Sequence, residues 1–150
     1  MQSWANFGQA FTDPSNLVVG PLVFVGGNVT SDAATVGAFG GQKYPLLVKV
    51  GHTVTVQLPR PVRFTAGLAY GSLPQGQVRV DDAHDTVTFE ACPEGEANPS
   101  HAGGPVTFWS GFVMTRTPDC IPLEVYVDHE SSPRHTAIAV GPHPCENAIG

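Results

Sequence analysis

Charge is scarce in this chain. Asp, Glu, Lys and Arg make up 13% of its 150 residues, about half the usual share of a soluble domain. The balance is negative, with a formal net charge of −6. Nucleic-acid binding needs a basic stripe to neutralise phosphates, so that class is excluded. Lys43 and Lys49 are the only lysines, which argues against an electrostatic membrane-surface role. No apolar run approaches the about 18 residues of a spanning helix, and no segment holds a sustained helical period. Met1 runs straight into a polar stretch with no leader-like segment before Gln2, as in a piece cut from a longer precursor.

What is plentiful is turn-forming and strand-forming residues. The 17 Gly and 14 Pro together exceed a fifth of the chain, and Val and Thr are frequent between them. Many short strands joined by turns follow from that mixture, and 150 residues suffice for one domain with a real core. Residues 1–16 read as an N-terminal arm carrying Trp4, Phe7 and Phe11, which fold back over a sheet edge. Leu17–Val25 reads as one strand with Gly20-Pro21 marking an edge position or bulge. Gly26–Lys43 reads as a long loop of small residues. Tyr44–Val50, His52–Leu58, Val62–Tyr70 (Phe64, Ala66, Leu68 and Tyr70 on one face), Gln77–Val80 and Thr86–Ala91 follow as strands. Val106–Thr115, with Ser110-Gly111 as a bulge, Ile121–Val127 and His135–Val140 complete the set. About eight or nine strands with turn signals roughly every 8–12 residues indicate an all-β antiparallel β-sandwich, Ig-like or Greek-key.

Strand direction orders the three cysteines. If Thr86–Ala91 runs towards one end of the sandwich, Cys92 sits at that end and Val106–Thr115 runs back. Cys120 then lies at the opposite end, Ile121–Val127 returns, and His135–Val140 brings Cys145 back beside Cys120. A bridge needs Cα atoms within about 7 Å, whereas an eight-residue strand spans roughly 26 Å. The pairing Cys120–Cys145 follows, with Cys92 left as a free or intermolecular thiol. A structural disulfide implies an oxidising compartment, hence a secreted or extracytoplasmic location, as for the soluble part of an anchored envelope protein.

Candidate chemistry is thin. Asp81, Asp82, His84 and Asp85 crowd three carboxylates and an imidazole into one inter-strand turn. Hard cations want such oxygen ligands, but Asp is also an ordinary turn former; these are weak metal candidates, and no cofactor is implied. A blue-copper set around Cys145 fails on order, since only Glu146 and Asn147 follow it as donors. There is no Gly-x-Ser-x-Gly elbow and no recognisable carboxylate pair for glycoside hydrolysis. Phe108-Trp109 puts rings on opposite faces of a strand, and Tyr126 faces the polar side of its own. Trp109 with Tyr126 is therefore the candidate binding surface, a platform for a glycan or a protein partner; the alternative is that one of the rings is covered by the N-terminal arm or the Gly26–Lys43 loop.

The run Thr107-Phe108-Trp109-Ser110-Gly111-Phe112-Val113, then Cys120-Ile121-Pro122-Leu123-Glu124-Val125, with Phe89-Glu90-Ala91-Cys92-Pro93 upstream, resembles uncharacterised secreted or membrane-anchored β-sandwich domains of actinobacteria. The resemblance covers roughly the second half of the chain. It implies export and, since no activity is assigned to those domains, no catalytic residues. The functional expectation is a non-enzymatic binding or structural module of the cell envelope. The rival is a small hydrolase or metal-dependent enzyme with its site built from loops at one end.

Overall fold

The computed structural model describes residues 7–70, 83–92 and 106–145. They form eleven strands: β1 (Leu17–Val19), β2 (Leu22–Phe24), β3 (Gly41–Lys43), β4 (Leu46–Lys49), β5 (Thr53–Gln57), β6 (Ala66–Tyr70), β7 (Thr86–Glu90), β8 (Val106–Trp109), β9 (Gly111–Thr115), β10 (Asp119–Val127) and β11 (Arg134–Val140). Two short helices accompany them, α1 (Phe7–Ala10) and α2 (Ala33–Phe39). Every pairing is antiparallel, in three ladders ordered β1-β2-β4-β8, β3-β9-β6 and β11-β10-β5-β7.

The first two ladders are one layer broken once. Lys43 faces Phe112 and Leu46 faces Trp109, so β3/β4 and β8/β9 keep a single register across the break. The Tyr44 N–H still reaches the Gly111 carbonyl at 3.1 Å, but Pro45 has no N–H to give the ladder and interrupts it. One apolar cluster fills the space between this layer and β11-β10-β5-β7. It takes Phe24 from β2, Leu46 and Val48 from β4, Val54 and Val56 from β5, Leu123 and Val125 from β10, and Ile138 from β11. The all-β sandwich expected from composition is the architecture observed. Strands β5 and β10 bury alternate residues as their period of two requires.

Three local expectations are corrected. Leu17–Val25 is a hairpin, because Val19 pairs with Leu22 and leaves only Gly20-Pro21 as the loop. Gly20 takes φ 55 and Pro is locked at negative φ, the φ signature of a type II′ hairpin turn. The Gly26–Lys43 loop contains α2 and β3. The Asp32 carbonyl accepts the Val36 N–H at 3.3 Å, and Gly40, at φ 88, donates to the Val36 carbonyl at 2.7 Å, a left-handed glycine stop. Phe64 does not share the core face of Ala66, Leu68 and Tyr70. Strand β6 begins only at Ala66, after a 3-10 turn at Arg60–Val62, so alternation does not extend back to position 64. These splittings also raise the strand number above eight or nine.

Of the arm, Ala10 and Phe11 pack with Val23, Leu47, Val106 and Phe108 on the outer face of the β1-β2-β4-β8 ladder. The Lys49 ammonium lies 4.5 Å from the Phe11 ring centroid. The arm thus covers a sheet face rather than an edge; Trp4 lies outside the described residues, as does the expected strand Gln77–Val80.

The cysteines fall where strand polarity puts them. Gly51 N–H donates to the Cys92 carbonyl at 2.8 Å and Ala91 N–H to the His52 carbonyl at 3.1 Å. Cys92 is therefore level with the start of β5, beside the end of β10. Cys120 begins β10 at the other end, opposite Ala139. There it is bridged to Cys145 with Cα atoms 5.6 Å apart, while Cys92 is free.

Candidate functional site

The outer face of the β11-β10-β5-β7 sheet carries the polar half of each alternating strand. One row runs His135, Glu124, Gln57, Thr86, and the next Tyr126, Thr55, Thr88. The side chains are tied sideways. Gln57 Nε2 donates to Glu124 Oε1 at 3.2 Å, and the Thr55 and Thr88 hydroxyls meet at 2.9 Å. Cross-strand bonds of this kind restrain rotamers and leave a preorganised polar surface of hydroxyl, amide and carboxylate groups beside one half-buried phenol. Tyr126 belongs to no apolar cluster of described residues.

Trp109 does not join it. The parity of β8 turns Trp109 inward onto the main cluster, edge-on to Phe89 with centroids 5.2 Å apart, and sends Phe108 outward under Phe11. Trp109 and Tyr126 lie in opposite layers, so the two-ring platform expected from the sequence does not form. Tyr126 alone remains on an open face. Sequence reasoning located that face, but it missed the Thr-Val-Thr segments 53–55 and 86–88 whose hydroxyls line it; the repeated segment was the available signal.

At the end where β10 finishes, Asp128 takes φ 51, a conformation Asp tolerates better than most residues. Its Oδ1 accepts the Thr53 N–H at 3.0 Å and its Oδ2 sits 2.8 Å from His52 Nδ1. The Thr53 amide first, and His52 second, hold the Asp128 carboxyl below the usual carboxylate range. With its pKa depressed on folding, this clamp of β10 onto β5 is complete above the ordinary carboxylate range and is lost as pH falls through the lowered value. Both side chains are 38% exposed, so the effect is small. Across the same turn Arg134 forks onto Glu130 at 2.8 and 3.2 Å.

A carboxylate on Nδ1 is how a general-base histidine is oriented, yet among the described residues no hydroxyl or thiol is hydrogen-bonded to the other ring nitrogen. Cys92 is one rung away. His52 pairs with Ala91 and Gly51 with Cys92, and successive residues of a strand face opposite ways. The two side chains therefore diverge. Nothing in the sequence marked His52 and Asp128 as partners, 76 positions apart.

The acidic turn is a stitch between sheets. His84 exchanges both backbone hydrogen bonds with Leu68 at 2.7 and 2.8 Å, and the Asp85 carbonyl accepts the Leu58 N–H at 2.8 Å. The Asp85 carboxylate takes the Thr86 hydroxyl at 3.1 Å and lies 3.9 Å from Arg63 Nε. Asp81 and Asp82 lie outside the described residues. Among the described residues no three His, Cys, Asp or Glu side chains are gathered to hold a metal ion, and no helix is long and apolar enough to cross a membrane. No family model, curated protein or solved structure matches the chain.

Proposed function

We propose that this chain is a non-enzymatic extracytoplasmic β-sandwich that binds a saccharide of the cell envelope on the outer face of the β11-β10-β5-β7 sheet. The observation that carries the reading is the surface around Tyr126. A phenol ring can stack on the C–H face of a pyranose, while the Thr55–Thr88 hydroxyls and the Gln57–Glu124 pair offer donors and acceptors to sugar hydroxyls. The ligand class follows from the chemistry of the face, since a polar row with one ring suits a polyhydroxylated chain better than an apolar ligand. The disulfide supports an oxidising location, as does the resemblance of the second half to exported domains.

The test is retention on immobilised envelope polysaccharides. The expected result is binding that Tyr126→Ala weakens by about tenfold, the size of one lost ring contact, with the thermal transition unchanged. Loss of the transition would disqualify the variant, and Tyr126→Leu, which keeps bulk but not the flat ring, then takes its place. No retention of the wild type on any polysaccharide, or equal retention of the variants, contradicts the reading. The hydrolase alternative has one observation in its favour, the His52–Asp128 pair, and among the described residues no nucleophile is hydrogen-bonded to it.

A further inference from the structure

Tyr126 and Glu124 share the outward side of β10. Two positions along a strand separate them by roughly 7 Å, so a sugar stacked on the ring reaches the carboxylate with one of its ring substituents. Glu124 Oε1 already accepts the Gln57 amide at 3.2 Å. That bond holds the group in place and, among the described residues, leaves Oε2 free to accept another donor. A second carboxylate, Glu90, is exposed and follows Thr88 by two positions on the outward side of β7.

No fixed positive charge answers these carboxylates. Lys43, Lys49 and Arg116 belong to the other layer, and Arg60 and Arg63 sit in the turn after β5. Arg134 is the register partner of the inward Val125 and forks onto Glu130; Arg79 lies outside the described residues. Among the described residues no ion pair involves Glu90 or Glu124. His135 stands opposite Glu124 on β11, but an imidazole is a hydrogen-bonding group rather than a permanent charge. These charges decide between classes of saccharide. A polymer bearing uronate or phosphate would bring like charge onto Glu90 and Glu124 with no cation to offset it. A neutral or N-acetylated sugar offers the carboxylate only uncharged donors. A protonated amine puts opposite charges in contact, the strongest of these pairings, and the face of a phenol ring also attracts an ammonium. The net charge of −6 draws a polycation from further off.

We propose that the saccharide bound on this face carries free amino groups, a glucosamine-type polymer rather than its N-acetylated or anionic counterparts, with Glu124 reading the amine. The inference rests on the saccharide reading above and adds the chemical class to it. The test is titration calorimetry of the whole chain, at low salt and neutral pH, with glucosamine, N-acetylglucosamine and galacturonate oligomers of equal length. The glucosamine oligomer should bind about tenfold tighter than the N-acetylated one. Galacturonate should not bind, and the preference for the amine should narrow as salt is added. Glu124→Gln, which keeps an acceptor for Gln57, should cut the preference to about twofold with an unchanged thermal transition. If that variant does not fold, Glu90→Gln takes its place, and a smaller narrowing is expected. Equal affinity for the glucosamine and N-acetylated oligomers, tighter binding of galacturonate, or a preference kept in full by the variant would overturn the inference and leave the saccharide reading standing. Binding of none of these oligomers by the wild type would overturn both.

Discussion

Tyr70→Ala is expected to destabilise the protein by about 4 kcal/mol, the range for deleting a buried aromatic ring, and to lower the thermal midpoint by roughly 12 °C for a chain of this size. Tyr70 is 3% exposed and joins several parts of the core. Its ring lies on Gly111, its register partner, where a Cβ would run into the ring. The ring also meets Phe89 edge-on at 5.3 Å, and Phe89 meets Trp109 in the same way. The Tyr70 hydroxyl donates to the Tyr44 carbonyl at 2.6 Å, and the Tyr44 hydroxyl donates to the Ala139 carbonyl in the opposite layer. Burial drives both phenols well above the ordinary tyrosine range, so both are protonated donors at neutral pH. Tyr70→Phe keeps the ring contacts and orphans only the Tyr44 carbonyl, so about 1–2 kcal/mol is expected. Denaturant titration of the two variants separates packing from hydrogen bonding. Equal losses would mean the ring is not packed as described.

The second large effect is at the disulfide. Cys120 and Cys145 are 25 positions apart, and releasing a loop of that length from the unfolded chain costs about 3.5 kcal/mol in the chain-entropy account. The double variant Cys120→Ser, Cys145→Ser should therefore lose about 10 °C in thermal midpoint. It should also free residues 142–145, which the bridge holds against the start of β10, while Gly141 stays tied by the Ser31 N–H at 2.9 Å. Hydrogen exchange localises the change: amides of β11 near Val140 should lose protection, while those near Arg134, next to the Glu130 fork, keep it. A loss spread evenly over β5 and β7 would show that the bridge supports the whole sandwich rather than one end.

Much of this was legible in the sequence because a period of two is a strong signal. In β5 and β10 the buried set, Val54 and Val56 with Leu123, Val125 and Val127, is the one alternation selects. The cysteine pairing was legible for a related reason, since it needs only strand directions and not strand neighbours. The misses share a cause too. Helix α2 spans only seven positions, too short for periodicity, and its Asp32 and Gly40 end signals were submerged among other small residues. The Gly20-Pro21 turn and the break at Pro45 depend on which partner strand is present, which no local window shows. The same limit hid the candidate surfaces. Tyr126 was placed outward correctly, but Trp109 was paired with it because parity within β8 does not say which of two faces is the core.

The account rests on chain direction, with β7 and β10 carrying Cys92 and Cys120 to opposite ends of the sandwich. Peptide mapping of the non-reduced protein, alkylated before digestion, tests this most directly. The expected result is one linked pair of peptides, containing Cys120 and Cys145, with Cys92 recovered alkylated. A linked peptide joining Cys92 to either of the others within one chain would contradict the strand order and the location inferred from it.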